Sequence, residues 1–96
     1  MSDRQNSPQQ FLLGTAVKFT AILSVDTATV TITIKDCAGI IEVNAASMTK
    51  DANKVYSYIW QSSTSDSSGD YISTISITYS GYTSVRQDVF RMVEQE

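Results

Sequence analysis

The chain has no histidine, one cysteine (Cys37), one proline and four glycines among its 96 residues. Without histidine there is no Ser-His-Asp or Cys-His catalysis, no imidazole metal ligand and no imidazole pH switch. A single cysteine excludes an intrachain disulfide. The longest apolar runs span only a few residues, far short of the roughly 20 a membrane-crossing helix needs. Charge is sparse, with 18% Asp, Glu, Lys and Arg and a net charge of −3. The seven basic residues are scattered, which argues against a nucleic-acid partner, because phosphate binding relies on clustered Lys and Arg. The opening MSDRQNSPQQ has no apolar stretch of the kind a secretory leader carries. These absences predict a small protein made and kept in the cytosol. Nucleic acid and membrane are not expected as partners, and no cofactor is expected.

What is present is a β pattern. About a quarter of the residues are Ser or Thr, and the hydrophobic fraction is 42%. Helical surfaces prefer Glu, Lys, Gln and Arg, whereas Thr and Ser suit a pleated surface. The length allows one domain with one thin core. Residues 1–12 are read as a polar N-terminal arm that contacts a neighbouring subunit, and residues 13–94 as the domain.

From Thr15 onward the apolar residues recur at every second position. Val17, Phe19, Ala21, Leu23 and Val25 share one face, the signature of a half-buried strand. A turn is expected at DTAT, starting at Asp26. Val30, Ile32 and Ile34 define the next strand, and DCAG (Asp36 to Gly39) the next turn. IIEVNAASM reads as a weaker strand, and TKDANK (Thr49 to Lys54) as a polar turn. KVYSYIWQ places Tyr56, Tyr58 and Trp60 on one face. After the serine-rich SSTSDSSGD, the run YISTISITY sets Tyr71, Ile75, Ile77 and Tyr79 together. Ser80-Gly81 marks a tight hairpin. In TSVRQDVFRMV, Val85 and Phe90 differ in parity, so a bulge is expected near Gln87–Asp88.

Six or seven strands with turns roughly every ten residues predict an all-β, Ig-like antiparallel β-sandwich. A small β-barrel is the alternative. In a sandwich, the serine-rich stretch is the solvated corner where the chain passes from one sheet to the other. Gly69-Asp70-Tyr71 then stands where Ig-like sandwiches carry a tyrosine whose hydroxyl bonds back to that corner. Tyr71 and Gly69 are assigned this structural role. The competing reading makes Tyr71 a plain core aromatic with its hydroxyl in water.

The order LGTAVKFTAIL, TVTITIKDCAG, MTKDANKVYSYIW and SGDYISTISITYSGYTSVRQDVFRM resembles the small Ig-like structural proteins of tailed bacteriophages. The likeness covers about residues 13–93 and is one of strands and turns. Cys37 stands where such turns often carry Pro, and Asn53-Lys54 where they often carry Gly. The resemblance implies a non-enzymatic virion component, such as a capsid decoration, head–tail joining, tail or baseplate protein. Its partners would be other virion proteins and copies of itself. It would be made in the host cytoplasm and located in the virion.

The side chains that carry chemistry have structural explanations. Asp26, Asp36, Asp51, Asp66 and Asp70 all fall in expected turns, where Asp bonds to its own backbone. Asp66 and Asp70 offer oxygens for a Ca²⁺ ion, but their spacing matches no EF-hand, and a solvated turn accounts for them. No catalytic or metal-binding residue is assigned, and no enzymatic activity is expected. Phe19, Tyr56, Tyr58, Trp60 and Phe90 are read as core aromatics. The alternative for Tyr56, Tyr58 and Trp60 is a carbohydrate-stacking platform. Candidate interface residues are Phe11, Leu12 and Leu13, which either dock on a neighbour or form a first edge strand, together with Tyr79 and Tyr82 beside the hairpin. The functional alternative to a virion subunit is an adhesive module whose loops bind a host-surface glycan.

Overall fold

Alternation of apolar and polar residues leaves each strand with one face to bury, and two sheets stacked face to face satisfy that need. The computed structural model describes residues 9–25 and 27–94. Residues 1–8 of the expected arm, and Asp26 of the expected DTAT turn, lie outside the described residues. The elements in chain order are β1 (Gln9–Leu12), β2 (Ala16–Ile22), β3 (Thr29–Lys35), β4 (Ile41–Ser47), β5 (Thr49–Ala52), β6 (Val55–Gln61), β7 (Gly69–Tyr79) and β8 (Tyr82–Val93).

One sheet has the order β1-β8-β7-β3-β4 and the other β2-β6-β5. This is the G-F-C-C′ over B-E-D arrangement of an Ig-like sandwich, with the first strand hydrogen-bonded to the last. That first pairing is parallel, so the sandwich is not purely antiparallel: Gln9 lies beside Phe90 and Leu12 beside Val93. The sheets do not close into a barrel.

The inward positions follow the period of two. Val17 and Ala21 from β2, Val30, Ile32 and Ile34 from β3, and Tyr71 and Ile75 from β7 are all buried. Met48, Tyr56, Trp60, Phe90 and Met92 complete the interior. Phe90 sits at the centre of an aromatic cluster. Its ring centroid lies 5.3 Å from Phe19, 5.5 Å from Tyr71, 6.1 Å from Phe11 and 6.2 Å from Trp60. Edge-on and tilted contacts at such separations add to the area each ring buries.

Four expectations need correction. Residues 9–12 form β1, the edge-strand alternative for Phe11 and Leu12, rather than the end of an arm, and Leu13 is a core residue at 2% exposure rather than an interface residue. The Leu13 N–H donates to the Val93 carbonyl at 2.9 Å, which carries the chain inward before it switches sheets. The polar segment from Thr49 is a strand, β5, whose four residues are all exposed. With β1 and β5 included, the strands among the described residues number eight. The bulge expected near Gln87–Asp88 does not occur, since β7 and β8 pair without a shift from Gly69–Met92 to Tyr79–Tyr82. Val85 simply lies on the outer face, where an apolar residue is tolerated.

Candidate functional site

Two regions gather side chains that are not explained by the core alone. The first is the corner between β6 and β7. Ser62 opens it by tying two elements together. Its Oγ accepts a hydrogen bond from the Gly14 N–H at 3.0 Å and donates to the Thr15 carbonyl at 2.6 Å. The serine thus pins the point where the chain leaves β1 for β2. Further along, Asp66 Oδ2 accepts from the Ser63 N–H at 2.8 Å, while the Asp66 N–H donates to the Ser63 carbonyl at 3.0 Å. This is the self-contained turn that Ser and Asp favour.

At the end of the corner, Gly69 has φ of +132°, and a Cβ there would meet Cys37 Sγ at 3.1 Å. The conformation favours glycine, and a Cβ would also press on the Cys37 side chain. Tyr71 follows, fully buried, and its hydroxyl donates to the Ser67 carbonyl at 2.7 Å. Burial, and then the nearby carboxylates of Asp66 and Glu42, push the Tyr71 phenol up to about 12. Glu42 is itself raised, by burial first and then by Asp66 and Asp36. The corner is a structural device. The buried Asp36 has a comparable task, with Oδ1 accepting from the Ala38 and Ile40 N–H groups at 2.9 Å each.

The second region is the β7–β8 hairpin. Ser80 and Gly81 have φ of 53° and 84°, the left-handed pair that a two-residue hairpin turn demands. Tyr79 and Tyr82 face each other across this turn, 48% and 79% exposed. Every residue from Tyr82 to Val89 is exposed, on both faces of the strand, although Ile75 and Ser73, opposite Arg86 and Asp88 on β7, are buried. Beside the base of the hairpin, the space between the sheets opens as a groove of about 380 Å³. Its walls include Phe11, Val17, Phe19, Ile75 and Phe90, and Lys18 and Asp88 also line it.

The candidate residues thus separate into three places. Tyr56, Trp60 and Phe90 lie in the core, with Phe19 and Tyr58 packed half-buried against it, so Tyr56 and Trp60 offer no stacking platform. Phe11 is half-buried against the same cluster, while Leu12 points outward from β1. Tyr79 and Tyr82 are surface aromatics. The groove was not anticipated from sequence. Its only signal there is the pair of phenylalanines, Phe19 and Phe90, which alternation alone assigns to the core. Among the described residues no cluster of three or more Cys, Asp or Glu side chains suits a metal ion.

No protein-family model matches the chain, and no curated protein or solved structure is significantly similar to it.

Proposed function

We propose that this protein is a non-enzymatic structural subunit of a tailed virus particle, packing as a repeated unit on a capsid, neck or tail lattice. The observation that carries the contact role is the exposure of β8, with eight consecutive residues, Tyr82 to Val89, exposed on both faces. A strand of that kind stabilises its own domain weakly and presents backbone and side chains outward. Buried polar side chains support the same reading, because their hydrogen bonds stay within the fold: Asp36 holds its own loop, Ser62 the sheet switch, and Ser57 donates to Asp51 of β5 at 2.6 Å. The viral assignment rests on the pattern of strands and turns over residues 13–93. Individually weak interfaces suffice on a lattice, because many act together.

Mass spectrometry of purified particles tests this. The chain should be present in stoichiometric amount, and a deletion of residues 1–8, which leaves β1 intact, should reduce its incorporation. Absence from particles overturns the reading. The exposed Tyr79–Tyr82 pair favours a second reading, an adhesive module that stacks a host-surface glycan on the hairpin tip. Glycan-array binding that is lost in Tyr82→Ala, together with absence from particles, would establish that reading instead.

A further inference from the structure

Among the described residues, two-thirds of β8 is paired on one side only. β7 accompanies it along its whole length, whereas β1 covers its other side only from Phe90 to Val93. Among the described residues nothing pairs with the outer edge of residues 82–89. The direction of its backbone groups follows from one bond. The Val93 carbonyl accepts from the Leu13 N–H, so at Val93 the backbone faces β1. Strand backbones alternate, so Thr83, Val85, Gln87 and Val89 aim both N–H and C=O at the open edge. Tyr82, Ser84, Arg86 and Asp88 aim theirs at β7.

We infer that this edge pairs with the same edge of a second copy of the chain. The two strands run antiparallel about a twofold axis, with Val85 opposite the partner subunit's Val85. The inference rests on the reading of the chain as a repeated subunit, and names the surface through which copies meet.

Three features set the register. A twofold axis perpendicular to the sheet keeps both outer faces on one side, so odd-numbered residues must oppose odd-numbered ones. Those are the residues whose N–H and C=O groups face the edge, so the directly opposed pairs can exchange hydrogen bonds.

The second feature is length. Gln9 occupies the edge at Phe90, so the partner's hairpin must end before that point. Centring the pair on Val85 brings Tyr82 opposite the partner's Asp88 and the turn opposite the partner's Val89, which uses end to end the edge that no described residue covers. Centring on Arg86 would set like charges against each other and drive Tyr82 into Gln9. With Val85 at the centre, Thr83 opposes Gln87 and Ser84 opposes Arg86, so no like charges face.

The third feature is shape. Tyr82 lies on the inner face of β8, the face that Phe90 buries, and is the most exposed of the large apolar side chains at 79%. Opposite the partner's Asp88, it projects over the partner's groove of about 380 Å³ between the sheets. The phenol ring meets the apolar walls, and its hydroxyl comes within reach of Lys18 and Asp88 on the rim. Symmetry makes this contact twice. One surface supplies strand, knob and hole, as an isologous interface must.

Sedimentation or light scattering on the isolated chain tests the inference across protein concentrations up to about 1 mM, the weak end of specific association. The wild type should dimerise. Val85→Lys should abolish dimerisation, because Lys on an edge strand blocks strand addition. Tyr82→Ala should weaken it by about tenfold or more, the usual scale for a central aromatic anchor. Ile59→Ala, on the outer face of the smaller sheet, should leave it unchanged. Circular dichroism should show all variants folded, since Tyr82, Val85 and Ile59 are exposed. A wild type that stays monomeric overturns the inference, as does a dimer that survives Val85→Lys or is indifferent to Tyr82→Ala. The measurement uses no particles, so a negative result leaves particle incorporation to its own test.

Discussion

The Tyr71 hydroxyl donates to the Ser67 carbonyl across a span of four residues, at 2.7 Å, with the ring fully buried. The bond closes the corner between the two sheets from the inside. Tyr71→Phe keeps the ring and removes only this bond, so it should lower unfolding stability by about 1 kcal/mol. Chemical denaturation of the two proteins measures the difference. Equal midpoints and slopes would show that the corner holds without the bond.

The same tyrosine predicts an alkaline limit to stability. Its folded phenol is raised from 10.0 to about 12, by burial first and then by Asp66 and Glu42. Between those values the unfolded chain releases a proton that the folded chain keeps. The stability this tyrosine contributes is therefore complete below pH 10 and falls as pH rises toward 12. The loss attributable to Tyr71 should reach about 2–3 kcal/mol. Because other groups also titrate in this range, the quantity to measure is the difference in slope between wild type and Tyr71→Phe. Parallel slopes would contradict the shift.

Phe90 holds the aromatic cluster together, since its ring meets Phe11, Phe19, Trp60 and Tyr71. Phe90→Ala should cost about 3–5 kcal/mol, enough to unfold a domain of this size or nearly so. Trp60 is the only tryptophan, so fluorescence reports on this cluster directly. Wild-type emission should resist iodide quenching, and Phe90→Ala should make it quenchable.

The hairpin turn separates conformational strain from crowding. Gly81 has φ of +84° and no atom within 4 Å of where a Cβ would stand, so Gly81→Ala measures backbone strain alone and should cost about 1 kcal/mol. At Gly69 the strain and the Cys37 contact add, and Gly69→Ala should cost more. Thermal melts of the two variants give the comparison. The reverse order would contradict the crowding at Gly69.

Alternation made most of the sandwich legible. Val17 to Leu23, Val30 to Ile34 and Tyr71 to Ile77 point inward as their spacing requires, because burial on one face leaves a mark at every second residue. β5 left no such mark. Thr49, Lys50, Asp51 and Ala52 are all exposed, and the strand exists only because Ser57, Tyr56 and Val55 of β6 offer it a ladder. β1 was obscured for a related reason, since its last pairing partners lie some 80 residues away in sequence and its parallel register carries no local turn signal. The parity of Val85 and Phe90 misled in the opposite direction. It is a conflict only if every apolar residue must face the core, and Val85 lies on the outer face, 57% exposed. The groove is lined from β1, β2, β7 and β8 together, a juxtaposition that no single segment encodes.

The parallel course of β1 and β8 has a practical consequence for handling the protein. The described part of β1 begins at Gln9 beside Phe90, next to the groove and to the edge that no described residue covers. Anything fused after Val93 leaves at the far end of the sandwich from the Ser80-Gly81 turn. An affinity handle on the carboxyl end would therefore stand clear of the proposed dimer edge.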